Sequence, residues 1–322
     1  MTLTQLEYLL AVDAFRSFVR AAESCNIAQP SLSAQIMKIE VELGSKIFER
    51  SRSGVETTDV GRAIIIQARI ALNEVQKIQN ICLEHQNAVR GTLRLGIIPT
   101  VSPYLLPHFL EPLMREYPEL KLELEEEKTE VLFSKLARGL LDAAVLSTPR
   151  NAPGNLVEKV LYYEPFVLFA GKGHALLNKS EILLSDLKPY NPTLLDDTHC
   201  MRDQVESVCG RAPSENAITL KVGALQTLMQ LVEQQCGYTL LPALAQKSLS
   251  PAQQREKLRP FAEPVPTRRI SLVSQNTPAR RVLLRALEQS IRSNLPQEVF
   301  PTKERGRMNV LEPEARHFRT HS

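Results

Sequence analysis

The chain has 322 residues, with 39 Lys and Arg against 36 Asp and Glu, five Cys and no Trp. A 43% apolar fraction is enough for real cores and excludes wholesale disorder, and the length fits two or three domains. The formal charge of +3 identifies no nucleic-acid or membrane partner, and 5% aromatics argue against a stacking platform for single strands. The N-terminus, MTLTQLEYLLAVDAFRSF, lacks the basic start and cleavage site of a secretory signal, and no apolar run reaches the roughly 18 residues of a membrane span. The cysteines therefore read as reduced thiols in a cytoplasm, where a disulfide would be transient and functional.

Residues 1–60 hold six basic and eight acidic residues, so any DNA binding there depends on placement rather than net charge. Leu3, Leu6, Leu9 and Leu10 fall at helical spacing, with Thr4 as N-cap. Ser17 opens a second helix with Val19, Ala22 and Cys25 inward. The Gln29-Pro30-Ser31 break starts a third helix from Ser31 to about Leu43, ended by Gly44. Its inward stripe is Leu32, Ile36, Ile39 and Leu43, and small polar residues face out. FERSRSGVETTDVG then reads as two short β pieces, a wing. Two helices, a tight break and a third polar-faced helix fit a winged helix-turn-helix over 1–58 on double-stranded DNA. Ser31, Ser33, Gln35 and Lys38 would reach bases or phosphates, and Arg50 and Arg52 the phosphate backbone. A plain three-helix bundle with a solvated face fits the same pattern.

Residues 59–90 read as one long helix whose stripe (Ile64, Ala68, Ala71, Val75, Ile78, Cys82, Val89) asks for a partner, most simply a second copy. From Gly91 the texture changes. Strand 93–98, helix 103–118, the KLELEEE strand, the TEVLFSKLARGL helix and the LDAAVL strand give β-α-β-α-β, hence a parallel sheet. VEKVLYYEPFVLFAG gives further strands, followed by the ALQTLMQLVEQQCG helix, the YTLLP strand, the ISLVSQ strand and a helix over 278–294. This α/β domain spans 91–295, and 296–322 reads as a flexible tail.

Cys200 and Cys209 lie in LLDDTHCMRDQVESVCG. Capping by Thr198 or Asp197 places Cys200 in the first turn of a helix, where backbone N–H groups, His199 and Arg202 favour a thiolate. The other reading is two small buried hydrophobes, which suits Cys25 and Cys82; Cys236 also reads as structural. In a helix the two thiols stand roughly 13 Å apart, whereas a disulfide needs Cα atoms within about 7 Å. Joining them would unwind the segment, which is a switch. Thr100 follows a strand and starts a helix, a place suited to an anion or peroxide oxygen. No metal-ligand spacing, phosphate loop or G-x-S-x-G elbow is present, so no cofactor is expected.

SLSAQIMKIEVELGSKIFER and the following TDVG resemble the DNA-binding signature of LysR-type transcriptional regulators. The resemblance implies a winged helix-turn-helix, a linker-helix homodimer, usually a homotetramer on DNA, and a periplasmic-binding-protein-like effector domain of two α/β subdomains. GIIPTVSPYLLPHFL, HCMRDQVESVC and YTLLPALA are similar to the peroxide-sensing members of that family. That similarity implies that Cys200 reacts with hydrogen peroxide and Cys209 resolves it as a disulfide. It places Thr100, Thr129, His199 and Arg268 or Arg269 around the peroxide, and RNA polymerase as the downstream partner. Ile218-Thr219-Leu220 stands where some relatives carry a pocket histidine. A family member gated by a small metabolite in the inter-subdomain cleft is the alternative. A thiol peroxidase is a third reading, and the DNA-reading block argues against it and against an enzyme generally.

Overall fold

The computed structural model describes residues 1–51, 54–85, 89–147, 156–209, 222–235, 237–276, 280–304 and 306–313. Residues 1–86 form one compact unit, and 87–137 with 141–322 form a second.

The first unit contains α1 (Leu3–Phe15), α2 (Phe18–Ser24), α3 (Gln29–Leu43), the hairpin β1 (Phe48–Ser51) and β2 (Gly54–Thr57), and α4 (Asp59–His85). The cap of α1 is Thr2, not Thr4. Its hydroxyl accepts from the Gln5 N–H at 3.3 Å, while Gln5 Oε1 accepts from the Thr2 N–H at 2.8 Å. Ser17 caps α2 as expected. Helix α3 starts two residues earlier than the pattern indicated, because Pro30 in the first turn needs no N–H partner. Gly44 closes it in the left-handed region at φ 65.

Two inward assignments are corrected. Val19 faces solvent and Ala21 and Ala22 fill the core; Leu43 is exposed and Glu40 takes the inward place on α3. The reason lies in the chain's entry into the wing. Glu40 Oε1 accepts from the N–H groups of Ile47 at 2.8 Å and Phe48 at 3.1 Å, and Oε2 accepts from Lys46 Nζ at 2.9 Å. Without Glu40 those donors would be buried unpaired. Burial raises its carboxyl pKa, but the Lys46 bond and the two N–H groups outweigh it and hold the group below the usual range. The wing is pinned to the end of α1, where Arg16 O accepts from Val55 N–H at 3.3 Å and Arg16 Nη1 donates to Thr57 Oγ1 at 2.6 Å. Gly61 must be glycine, since a Cβ there would collide with the Ile47 carbonyl. Along α4, Ile65 and Ala68 join this core, whereas Ile78 and Ile81 are exposed.

The second unit begins with β3 (Gly91–Ile97), α5 (Ser102–Glu116), β4 (Leu120–Glu126), α6 (Thr129–Ala137) and β5 (Ala143–Ser147). Strand β3 is parallel to both β4 and β5, as the alternation required. Residues 157–171 form no set of strands but a single one, β6 (Leu156–Ala170), and the expected strand at 270–275 is the end of a longer β9 (Val265–Gln275). These two pair antiparallel over most of their length. They run through one curled eight-stranded sheet of order β4-β3-β5-β9-β6-β7, with β7 at Tyr238–Pro242 and β8 at Leu258–Arg259. Helices α7 (Cys200–Cys209), α8 (Leu225–Gln235), α9 (Pro251–Lys257) and α10 (Arg281–Ser293) complete the unit.

The segment after 295 is corrected as far as it is described. Met308–Leu311 forms β10, parallel to β9 in the register Met308↔Val265 to Leu311↔Arg268. Tyr163 and Phe300 exchange backbone N–H bonds at 2.7 and 2.8 Å, and Val265 N–H donates to Arg307 O at 2.8 Å. Met308 and Leu311 are buried. Four residues among charged neighbours carry too little pattern to announce a strand; the free edge of β9 supplies it.

Two outcomes follow. The folded-state pKa of Glu40 is depressed, so its stabilisation is present above the ordinary carboxylate range and is lost as pH falls through the folded value. Glu40→Gln should destabilise the first unit by about 1–3 kcal/mol at neutral pH and converge on wild type in acid, as read by melts across that range. Leu311→Asp should cost the second unit about 2–4 kcal/mol, a drop of several degrees in its melting temperature; a freely hanging tail would tolerate the change.

Candidate redox site and DNA-reading face

Cys200 is the first residue of α7, delivered by a turn that Asp196 organises rather than Asp197 or Thr198. The Asp196 carboxylate accepts from Thr198 N–H at 2.9 Å and from the Thr198 hydroxyl, and Asp196 O accepts from His199 N–H at 3.2 Å. Burial works to raise the Asp196 pKa, but the two Thr198 bonds, then the charges of His199 and Lys128, hold it below its ordinary value. His199 itself is buried beside Cys200.

The Cys200 thiol is 3% exposed, and the Thr129 hydroxyl, at the start of α6, lies 3.7 Å from its sulfur. The expected thiolate at a helix start is not the net result. Burial pushes the thiol pKa up; the Thr129 bond and the charge of Arg268 pull it down, and Asp203 pushes it up. Arg202 also does not serve the thiol. Its Nε donates to Glu206 at 3.0 Å and its Nη1 to Leu195 O at 3.0 Å.

The cation that acts on Cys200 is Arg268, which is fully buried on β9. Its Nε donates to Glu164 Oε2 at 2.9 Å, its Nη1 to Thr100 Oγ1 at 3.0 Å and its Nη2 to Thr100 O at 2.9 Å. Glu164 sits directly opposite on β6, and its other oxygen accepts from Leu244 N–H at 2.9 Å. The guanidinium also lies over the Phe166 ring. Arg269 points to the other face, as strand alternation demands, and pairs with Glu158 at 3.2 Å. The structure thus gathers Thr100, Thr129, Cys200 and Arg268, with His199 the buried chain neighbour of Cys200, and it separates Arg269 from Arg268.

Cys209 is buried at the far end of α7, and both thiols are free. Burial pushes its thiol pKa up to about 11, moderated by a hydrogen bond with the Tyr238 hydroxyl. Midway along, Gln204 is fully buried and its Nε2 donates to Ser147 Oγ and Leu311 O, each at 3.0 Å. Helix α7 is therefore tethered at its first turn and its middle, and buried at its end. Cys25 is half-buried at the end of α2. Cys236, the Cys82 side chain and residues 218–220 lie outside the described residues.

On the N-terminal unit, Ser31 and Lys38 are exposed, while Ser33 and Gln35 are half-buried. Gln5 Nε2 donates to Gln35 Oε1 at 2.9 Å, and Gln29 Nε2 donates to Ser33 Oγ at 3.0 Å. Gln29 was missed in the sequence. The signal was Pro30, whose preference for a first turn places Gln29 at the helix start. Arg50 lies in β1 with its side chain outside the description, as is all of Arg52.

This architecture, a winged helix-turn-helix unit and a curled-sheet effector unit, defines a class. Residues 3–62 match the bacterial regulatory helix-turn-helix protein, lysR family, and residues 86–296 match the LysR substrate binding domain. The chain belongs to the LysR family of regulators. It is similar to the DNA-binding transcriptional dual regulator OxyR of Escherichia coli, at 35% identity over 92% of this chain and 96% of that one. The hydrogen peroxide-inducible genes activator of Dickeya chrysanthemi gives the same identity and coverage. Among solved structures, a full-length Cys-to-Asp variant of Pseudomonas aeruginosa OxyR superposes with a TM-score of 0.73 at 34% identity, covering 95% of this chain and 99% of that one. A peroxide-bound Cys-to-Ser mutant of Corynebacterium glutamicum OxyR gives 0.61 at 29% identity, covering 91% and 92%.

The buried ion pair makes a prediction. Glu164→Gln should cost about 3–5 kcal/mol, because Arg268 is left charged and uncompensated. Adding Arg268→Met should recover part of that loss in a double-mutant cycle of chemical denaturation.

Proposed function

We propose that this chain is a hydrogen-peroxide-responsive, DNA-binding transcriptional activator switched by a disulfide between Cys200 and Cys209. The observation that carries the reading is the pair of free, buried thiols at opposite ends of one tethered helix, with Cys200 beside Thr129 and in the field of Arg268. The names of the similar proteins support hydrogen peroxide as the oxidant.

The chemistry balances. The Cys200 thiolate attacks one peroxide oxygen, the O–O bond breaks, and the departing hydroxide takes a proton to become water. Cys200 is left as a sulfenic acid. The Cys209 thiolate then attacks that sulfur, hydroxide leaves as a second water, and the disulfide forms. Two thiols lose two electrons and one peroxide becomes two waters. Thr129, Thr100 and His199 flank the peroxide oxygens, and Arg268 stabilises the thiolate and the charge that develops on the leaving oxygen.

Nine residues of helix hold the thiols roughly 13 Å apart, and a disulfide tolerates about 7 Å between Cα atoms. Oxidation therefore unwinds α7 and strips Gln204 of its bonds to Ser147 and Leu311. Ser31, Ser33, Gln35 and Lys38 read the major groove of double-stranded DNA, with Arg50 and Arg52 on phosphates. Exposed Ile78 and Ile81 on α4 serve a homodimer, and dimers pair into a homotetramer that presents promoters to RNA polymerase in the cytoplasm. Among the described residues, no helix is long and apolar enough to cross a membrane. The metabolite-binding alternative loses ground at Thr100. Its hydroxyl and carbonyl oxygens both accept from Arg268, which also pairs with Glu164, so a charged carboxylate ligand would meet the Glu164 carboxylate there, whereas neutral peroxide needs only the proton that the Thr100 hydroxyl can still donate.

Peroxide treatment of the full chain should yield the Cys200–Cys209 disulfide by mass mapping and faster hydrogen exchange across 201–208. Cys200→Ser should abolish both and keep DNA binding, whereas Cys209→Ser should stop at sulfenic acid. A Cys200→Ser protein that still switches its DNA complex on peroxide would overturn the reading.

A further inference from the structure

The outward face of α3 carries apolar side chains that no hydrogen-bonding readout uses. Ala34, Met37 and Val41, at spacings of three and four, lie along one line of the helix. Leu32, Ile36 and Ile39, on the opposite side, are buried in the core that α1 and α2 share. Met37 is 60% exposed and Val41 76%, and Ala34 and Lys38 are exposed with them. Ser33 and Gln35 are half-buried, and each turns an oxygen toward the protein, where Gln29 and Gln5 donate to them at 3.0 and 2.9 Å. At 3.6 residues per turn, the part of α3 that stands furthest into solvent is therefore apolar, with Ser31 and Lys38 along one side of it and Ser33 along the other.

Apolar side chains at that place have a definite counterpart. The second helix of a helix-turn-helix lies in the major groove and faces the base edges there. Every base pair shows polar groups in that groove, and thymine alone adds an apolar one, its 5-methyl. Methionine is unbranched and adapts its shape to what it packs on. Ala34, one turn earlier, is small enough to let the helix backbone come close. The charges agree with this occupant. Of the two carboxylates on α3, Glu40 is turned inward and Glu42 is paired with the amino group of Met1 at 2.9 Å, which leaves Lys38 beside the apolar line.

We propose that Met37, with Ala34 beside it, is a specificity-determining residue that packs on the 5-methyl group of thymine, so that the preferred DNA site carries thymine at a fixed position in each half-site. This rests on α3 being the DNA-reading helix. Contacts to phosphates then set how tightly any duplex binds, and Met37 sets the preference for thymine.

The test uses the reduced full chain, which first selects its site from random duplexes. Each thymine of that site is then replaced singly by uracil, which removes the 5-methyl and keeps every hydrogen-bonding group. At least one replacement per half-site should weaken wild type about fourfold, the effect of one methyl no longer buried. That penalty should vanish in Met37→Ala and persist in Met37→Leu. Neither variant should shift the melting temperature, because the side chain is exposed in the free protein. A wild type indifferent to uracil at every position overturns the proposal. So does a penalty that Met37→Ala retains, since the methyl would then act through the stiffness of the duplex. A change of subunit number in Met37→Ala without DNA overturns it as well, because the face would then pack on another copy of the chain. Lys38→Ala separates the two readings. If it leaves affinity and salt dependence unchanged and uracil costs nothing, α3 is not the reader and both fall. If it weakens all duplexes alike while uracil costs nothing, the thymine contact falls alone.

Discussion

A guanidinium sealed from water must place its N–H groups on acceptors and find an opposite charge, or the fold around it fails. Arg268 meets both demands with neighbours drawn from distant parts of the chain: Glu164 on β6 and Thr100 after β3, with the Phe166 ring beneath. Glu164 in turn holds the Leu244 N–H at the end of β7, and β10 pairs with β9 up to Arg268 itself. The same charge acts on the Cys200 sulfur. One ion pair therefore ties together the two long strands, the helix start that carries Thr100, and the redox segment.

Helix α7 is the element that the proposed disulfide would exclude, since its helical form keeps Cys200 and Cys209 at opposite ends. Its helical state rests on few bonds: Thr129 at Cys200, and Ser147 and Leu311 at Gln204. A disulfide closing a loop of this length contributes roughly 2.5–3 kcal/mol through chain entropy, if unstrained. Tethers of about 1 kcal/mol each are of the same order, so neither state is locked and an oxidant can decide between them. Tethers much stronger than these would make the thiols inert. Much weaker ones would let the helix open without oxidation.

The N-terminal unit solves a different problem, how a chain segment with more acid than base presents a DNA-reading face. Two of the acidic residues are turned inward or paired within the fold. Glu40 is buried among the N–H groups of Ile47 and Phe48, and Asp13 is engaged by Arg16 and Thr57. The carboxylates thereby build the scaffold of the wing instead of repelling phosphates. Gln5, fixed by its capping box with Thr2, in turn holds Gln35 on α3.

Local pattern was enough for three N-terminal helices with a break, which the family resemblance then made a helix-turn-helix, for the β-α-β-α-β start of the effector unit, and for the singling out of Cys200 and Cys209. Each of these rests on signals within a few residues: Ser17, Pro30 and Gly44 at helix ends, the alternation of strands and helices, and nine residues between two thiols. Tertiary structure alone decided what depends on residues far apart in sequence. Burial outweighs the helix terminus at Cys200, because the effective environment of a thiol is set by everything packed on it and not by its own helix. Arg268 is separated from Arg269 because only one of two adjacent strand residues can face Glu164. Glu40 displaces Leu43 from the core, and the edge of β9 makes a strand of Met308–Leu311, each because a backbone N–H or carbonyl elsewhere required a partner that no local pattern could announce.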